Sequence, residues 1–152
     1  MYKLLSICLV LFCLNACTTL DVYEKNHLFP SQSWKGSDTL DFNFDVIDTS
    51  SYYNFYFVLR HQEKYPFNNI WVELKVKDPD STSVIKREFI LADNNKWLGS
   101  TIDDITDHRI IFNTQPIRLK KGSYNFKLQQ IMRVDPLPNI FSAGIRVQKQ
   151  PS

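Results

Sequence analysis

From Leu40 onward, apolar and polar residues alternate in runs separated by turn-forming residues. Leu40, Phe42, Phe44 and Val46 alternate with Asp41, Asn43 and Asp45, the period of a half-buried strand. Tyr53, Phe55, Phe57 and Leu59 continue that period, while Tyr56 and Val58 make the second face apolar as well, which predicts a central strand covered on both faces. Ile70, Val72, Leu74 and Val76 alternate with Trp71, Glu73, Lys75 and Lys77. Ile85, Phe89 and Leu91 share a parity that Arg87 interrupts, and residues 109–112 form a short candidate. Tyr124, Phe126, Leu128 and Met132 share one face, and Phe141, Ala143, Ile145 and Val147 share the last. Turn chemistry falls between these runs at residues 48–51, 78–81, 93–95 and 120–123. One or two helical turns over residues 101–106 are the single helical expectation. The fold class predicted is all-β, a single-domain β-sandwich of jelly-roll or Ig-like type.

The N-terminal pattern is different. Lys3 precedes an apolar run from Leu4 to Leu14 that is broken only by Ser6. This run is too short for a permanent span and has the layout of a secretory signal peptide. It ends in Leu14-Asn15-Ala16-Cys17, which looks like a bacterial lipobox. On that reading residues 1–16 are removed and Cys17 becomes a diacylglyceryl-bearing first residue. Cysteine usage supports this over a plain signal peptide. Cys8 and Cys13 leave with the leader, so Cys17 would otherwise be a lone thiol in an oxidising compartment. The mature chain then has no disulfide and is anchored to a membrane. By analogy with known sorting, Thr18 after the cysteine points to the outer membrane. The absence of an acidic cluster in the residues that follow points to its periplasmic face. Residues 17–37, polar and irregular with Pro30 and Gly36, read as a tether with a candidate edge strand, and residues 38–150 as the sandwich.

Composition narrows the function classes. With 43% hydrophobic residues the chain is too apolar to be disordered. The formal net charge is +2 with both signs scattered, so nucleic acid is not an expected partner. The roughly 135 residues after the leader can bury about two-thirds of their unfolded surface, enough for a core without staples. His27, His61 and His108 sit in no spaced metal motif, and Asp103, Asp104 and Asp107 lack the ordered oxygens and glycine of a calcium loop. No metal or cofactor is expected. There is no Gly-x-Ser-x-Gly elbow, and the four glycines are too far apart for a phosphate loop. The carboxylates fall at strand-exterior or turn positions, so an enzyme is not expected. Eleven Phe, seven Tyr and three Trp mostly take core parity. Trp71 on a polar face, Trp97 in Lys96-Trp97-Leu98-Gly99, and Tyr65 and Phe67 in Tyr65-Pro66-Phe67 are the candidates for an interaction surface. Arg60 and Arg133 read as structural arginines.

Several segments in order carry a family resemblance: Asp21-Val22-Tyr23-Glu24, the Trp34 region, Asp38-Thr39-Leu40-x-Phe42-x-Phe44, and 53–60. They continue through 65–72, Lys96-Trp97-Leu98-Gly99 with Asp103-Asp104-Ile105, Gly122-x-Tyr124, and Met132-Arg133-x-Asp135-x-Leu137 with Ile140 and Gly144. Together with the lipobox they resemble the gliding-motility lipoprotein H (GldH) family of the Bacteroidota. The resemblance implies an envelope lipoprotein needed for gliding and tied to adhesin export by type IX secretion. It implies partners among the other envelope proteins of that machinery, no enzymatic activity and no cofactor, and it carries over Cys17 alone as a functional residue. A carbohydrate-binding envelope module is the other reading, supported only by what sandwich folds often do.

Overall fold

The computed structural model describes residues 22–151. The leader 1–16, Cys17 and residues 18–21 lie outside that range. Among the described residues there is no helix, and every strand pairing is antiparallel. Eight long strands carry the fold: β1 (Val22–Leu28), β3 (Leu40–Val46), β4 (Tyr52–Gln62), β5 (Asn69–Lys77), β6 (Thr82–Ile90), β10 (Ile105–Ile111), β12 (Gly122–Gln130) and β14 (Ile140–Lys149). Short strands fill the links: β2 (Ser33–Trp34), β7 (Ala92–Asp93), β8 (Lys96–Trp97), β9 (Ser100–Ile102), β11 (Ile117–Arg118) and β13 (Leu137–Pro138). One sheet runs β1-β14-β4-β10-β9, with β11 on β4, and the other runs β3-β12-β5-β6. Numbered by order among the long strands, the sheets read 1-8-3-6 and 2-7-4-5. That is the jelly-roll order, and it decides between the two sandwich types the periodicity allowed.

The period-2 runs become buried rows. In β3, Leu40, Phe42, Phe44 and Val46 are all buried, and in β5 Ile70, Val72 and Leu74 are. Aromatic rings join the layers: Phe57 stacks on Phe89 at 4.9 Å, Phe55 meets Phe126 at 5.4 Å, and Tyr23 meets Phe44 at 5.2 Å. Such ring pairs contribute about 0.5–1.5 kcal/mol each beyond area burial, which suits a core that has no disulfide among the described residues. The Arg87 interruption also finds its reason. Arg87 shares the inward parity of Ile85 and Phe89, lies over the Phe112 ring at 5.3 Å and donates to the Phe112 carbonyl.

Two expectations change. Residues 101–106 are not helical: β9 and β10 form a hairpin whose turn places Asp103 at φ 55°. An aspartate tolerates that left-handed conformation because its short side chain can bond locally, so Asp103 serves a turn here. The second face of β4 is not covered by another layer. Tyr56 stays half-buried and Arg60 exposed, and the buried residues of that face are Asn54 and Val58, the latter beside Gly144 and Arg109 of the flanking strands. Within residues 22–37, the edge strand β1 pairs with β14 along its whole length and Trp34 is 0% exposed.

Gly144 is where β1 comes closest to β14. A Cβ there would stand 2.2 Å from the Lys25 carbonyl oxygen, a backbone atom that cannot swing aside. Gly144→Ala is expected to push β1 off its partner and lower stability by about 1–3 kcal/mol, read as a lower urea midpoint at unchanged slope. A midpoint within error of the wild type would show that β1 yields freely.

Candidate functional site

Four sequence-predicted site residues lie at one end of the sandwich, the end formed by residues 62–69, 90–100 and 130–140. Tyr65 and Phe67 occupy the link from β4 to β5. Trp97 is on β8, whose hairpin with β7 folds back so that the Leu98 N–H donates to the Leu91 carbonyl at 2.9 Å. Trp71 projects from the outer face of β5, opposite the buried row of Ile70, Val72 and Leu74.

The structure gives these residues different roles. Trp71 is 41% exposed, with its backbone N–H 3.2 Å from the Met132 sulfur. Phe67 is half-buried and packs edge-on to Tyr65 at 5.7 Å. Tyr65 is only 4% exposed, and its hydroxyl donates to the Asn69 carbonyl at 2.9 Å. Burial pushes its phenol well above the usual tyrosine range. It supports the surface from beneath rather than forming part of it. Phe67 divides two clefts. One, of about 530 Å³, is lined by Phe67, Trp71, Met132 and Val134 among others. The other, of about 510 Å³, is lined by Phe67, Tyr65, Asn95 and Trp97 among others. Met132 and Val134 belong to this surface and were not singled out from the sequence. Met132 shares the parity of the buried Tyr124, Phe126 and Leu128, which masks its half-buried position.

Under Trp97 lies a pair that spacing alone does not reveal. β4 and β10 pair so that His61 faces Thr106 and His108 faces Leu59, which sets the two imidazoles diagonally on the inner face. They are 0% and 2% exposed, and their Nε2 atoms are 3.0 Å apart. His61 Nδ1 is 2.7 Å from the Gln62 carbonyl oxygen. A carbonyl only accepts, so His61 carries its proton on Nδ1, its Nε2 accepts, and His108 Nε2 donates. Trp97 packs edge-on to His61 at 4.4 Å, and Tyr65 packs against it at 5.1 Å. Gly99 admits the pair, because a Cβ there would stand 2.4 Å from the Asp107 carbonyl oxygen and 2.9 Å from the His108 ring. Burial lowers the pKa of both imidazoles. His108 is pushed down to about 4, by burial first and by His61 second, against a small opposing pull from Asp107. Both rings are therefore neutral at pH 7.

The charged residues nearby are mostly committed. Asp107 points outward and takes Arg60 in a two-pronged ion pair, Nε to Oδ1 at 2.7 Å and Nη2 to Oδ2 at 3.1 Å. Arg60 is thus a structural arginine, whereas Arg133 is exposed on the rim of the Trp71 cleft. The Asp104 carbonyl accepts from the Glu63 N–H at 2.7 Å. Among the described residues no three His, Cys, Asp or Glu side chains converge as a metal would require. What this end presents is an aromatic and thioether surface over a buried histidine pair.

Known proteins place the chain. A model of the GldH lipoprotein family matches residues 21–147. A gliding motility lipoprotein GldH homolog of Christiangramia forsetii is 23% identical over 138 residues, covering 85% of this chain and 82% of that protein. The gliding motility lipoprotein GldH of Flavobacterium johnsoniae is 24% identical over 127 residues, covering 78% and 79%. Among solved structures, the VP2 subviral particle of infectious bursal disease virus aligns with 83% of this chain and 32% of its own, at 17% identity and a TM-score of 0.33. With the match running from before β1 into β14, the chain belongs to the GldH lipoprotein family.

Proposed function

We propose that this protein is a lipid-anchored component of the cell envelope that serves gliding motility as a non-enzymatic accessory, linked to adhesin export by type IX secretion. The observation that carries this reading is the coincidence of two independent features. The family match runs from before β1 into β14, and a lipobox ending in Cys17 stands four residues before it. Cys17 bears the diacylglyceryl group, and the anchor lies in the outer membrane with the domain toward the periplasm. The Phe67, Trp71 and Met132 surface docks other envelope proteins of the machinery, with Trp97 and Tyr65 stiffening it from below. Glycan stacking fits less well, since Trp97 and Tyr65 spend their rings on His61 and leave Trp71 as the open one at this end.

The test is a deletion strain complemented with the wild-type or the Cys17→Ala protein, scored for colony spreading and for adhesin on the cell surface. Wild type is expected to restore both, and an equally abundant Cys17→Ala protein neither. Spreading and export that survive the deletion would remove the motility reading.

A further inference from the structure

Two ends of the sandwich are open to other molecules, and the start of β1 separates them. Val22 pairs with Gln148, and Gln148 with Asn54. Lys149 pairs with Tyr53, and Tyr53 with Ile117. Val46 pairs with Gly122. The chain therefore enters the fold at the end made by residues 46–52, 77–82 and 112–122, opposite the Trp71 and His61 end. Cys17 is five residues before Val22, so its Cα lies at most ~18 Å from that point even if the link is fully extended. The ten-residue β14 makes the sandwich ~30 Å long. A lipid on Cys17 thus holds the Val22 end within reach of the bilayer and leaves an upright domain's far end out of reach.

The surface chemistry of the Val22 end matches that placement. Ile47 is 78% exposed, and Tyr52 and Ile117 are exposed beside it. Arg118 lies over the Tyr52 ring at 4.9 Å. Among the described residues neither Arg118 nor Lys121 is within ion-pair distance of a carboxylate. The acids of this end are occupied. Asp48 takes Lys149 and the Ser50 and Ser51 hydroxyls, Asp80 takes Lys120, and Asp78 accepts from the backbone of Asp80 and Ser81. Exposed apolar side chains, an amphipathic tyrosine and cations that no carboxylate neutralises are what the headgroup layer of an anionic bilayer accepts.

We propose that this end rests on the membrane that anchors the protein. Ile47, Tyr52 and Ile117 enter the headgroup layer, and Arg118 and Lys121 meet lipid phosphates. This rests on the Cys17 anchor proposed above. It adds an orientation: the Trp71 end is turned away from the bilayer, where a partner can reach it.

The experiment uses the full-length lipoprotein, purified from membranes and reconstituted in vesicles of phosphatidylethanolamine and phosphatidylglycerol. Ile47→Cys and Ile117→Cys at the near end, and Leu98→Cys and Ile102→Cys at the far end, are labelled one at a time with an environment-sensitive dye. All four positions are exposed. A blue shift and quenching by headgroup-region spin-labelled lipids are expected at 47 and 117, with neither at 98 and 102. Arg118→Glu with Lys121→Glu should weaken quenching at 117 at an unchanged urea midpoint. Labels at 47 and 117 that stay as wet as those at 98 and 102, or equal quenching at all four, would overturn the orientation. Mass spectrometry of the N-terminal peptide separates the two readings. A lipidated Cys17 with wet near-end labels sinks the orientation alone, and an unlipidated Cys17 sinks the anchor and the orientation with it. If one near-end variant loses its fold, the other carries the test.

Discussion

Trp34→Ala is expected to be among the most damaging single substitutions in the protein. Trp34 is wholly buried, stacks on Phe29 at 5.4 Å, and donates its indole N–H to the Asp38 carbonyl at 2.9 Å. Its own carbonyl accepts from the buried Gln130 side chain, and its strand pairs Trp34 with Leu137. Truncation leaves a large cavity where residues 22–37 meet the link from β12 to β14. Phe or Trp to Ala in such a place costs about 3–5 kcal/mol, measured as the shift in urea midpoint multiplied by the slope. Trp34→Phe keeps the stacking and loses the hydrogen bond, so it should cost only about 1 kcal/mol. A Trp34→Ala loss below about 1 kcal/mol would mean that Trp34 does not anchor residues 22–37 to the core, since cavity costs of that size occur only where the site can collapse freely.

That prediction concerns a segment whose detail was not legible in the sequence, and the reason is physical. β3 and β5 were legible because one face of each is buried and the other solvated, so hydrophobicity alternates cleanly. β1 is an edge strand whose residues are half-buried or exposed, and Val-Tyr-Glu-Lys-Asn-His-Leu shows no clean period. Trp34 lies in a two-residue strand, too short to have a period at all. Jelly-roll order was not legible either, because periodicity marks strands but not which strand lies beside which. The surface aromatics divided similarly. Trp71 declared itself by standing among Glu73 and Lys75. Tyr65 sits in a loop and Trp97 in a two-residue strand, where no parity says whether a ring points in or out. The motif Lys96-Trp97-Leu98-Gly99 was visible as a string, but its meaning was not. Trp97 caps His61 and Gly99 makes room for His108, partners 36 and 9 residues away that only the β4–β10 register brings together.

The same pair makes the fold acid-sensitive in a window of its own. In the unfolded chain each imidazole takes a proton near pH 6.5. In the folded protein both pKa values are lowered, that of His108 to about 4, so below pH 6.5 the unfolded state binds more protons than the native one. Stability therefore rises with pH through this range: the contribution is complete above pH 6.5 and disappears as pH falls toward 4. For His108 alone the shift corresponds to about 3 kcal/mol, and His61 adds in the same direction. The acids held low in the native state, Glu24, Asp41, Asp48 and Asp78, destabilise only as pH falls below their ordinary range near 4, so a decline between pH 6.5 and 5 belongs to the histidines. Urea midpoints taken from pH 7.5 to 4.5 are expected to drop by about 2–3 kcal/mol equivalent, with the drop setting in below pH 6.5. His61→Leu with His108→Leu should flatten the curve in that window whatever it does to stability at pH 7, because no proton can then be taken up there on unfolding by either ring. A wild-type curve that is already flat from pH 6.5 to 5 would mean that the imidazoles are solvated, and that the hydrogen bond between their Nε2 atoms does not hold β4 to β10.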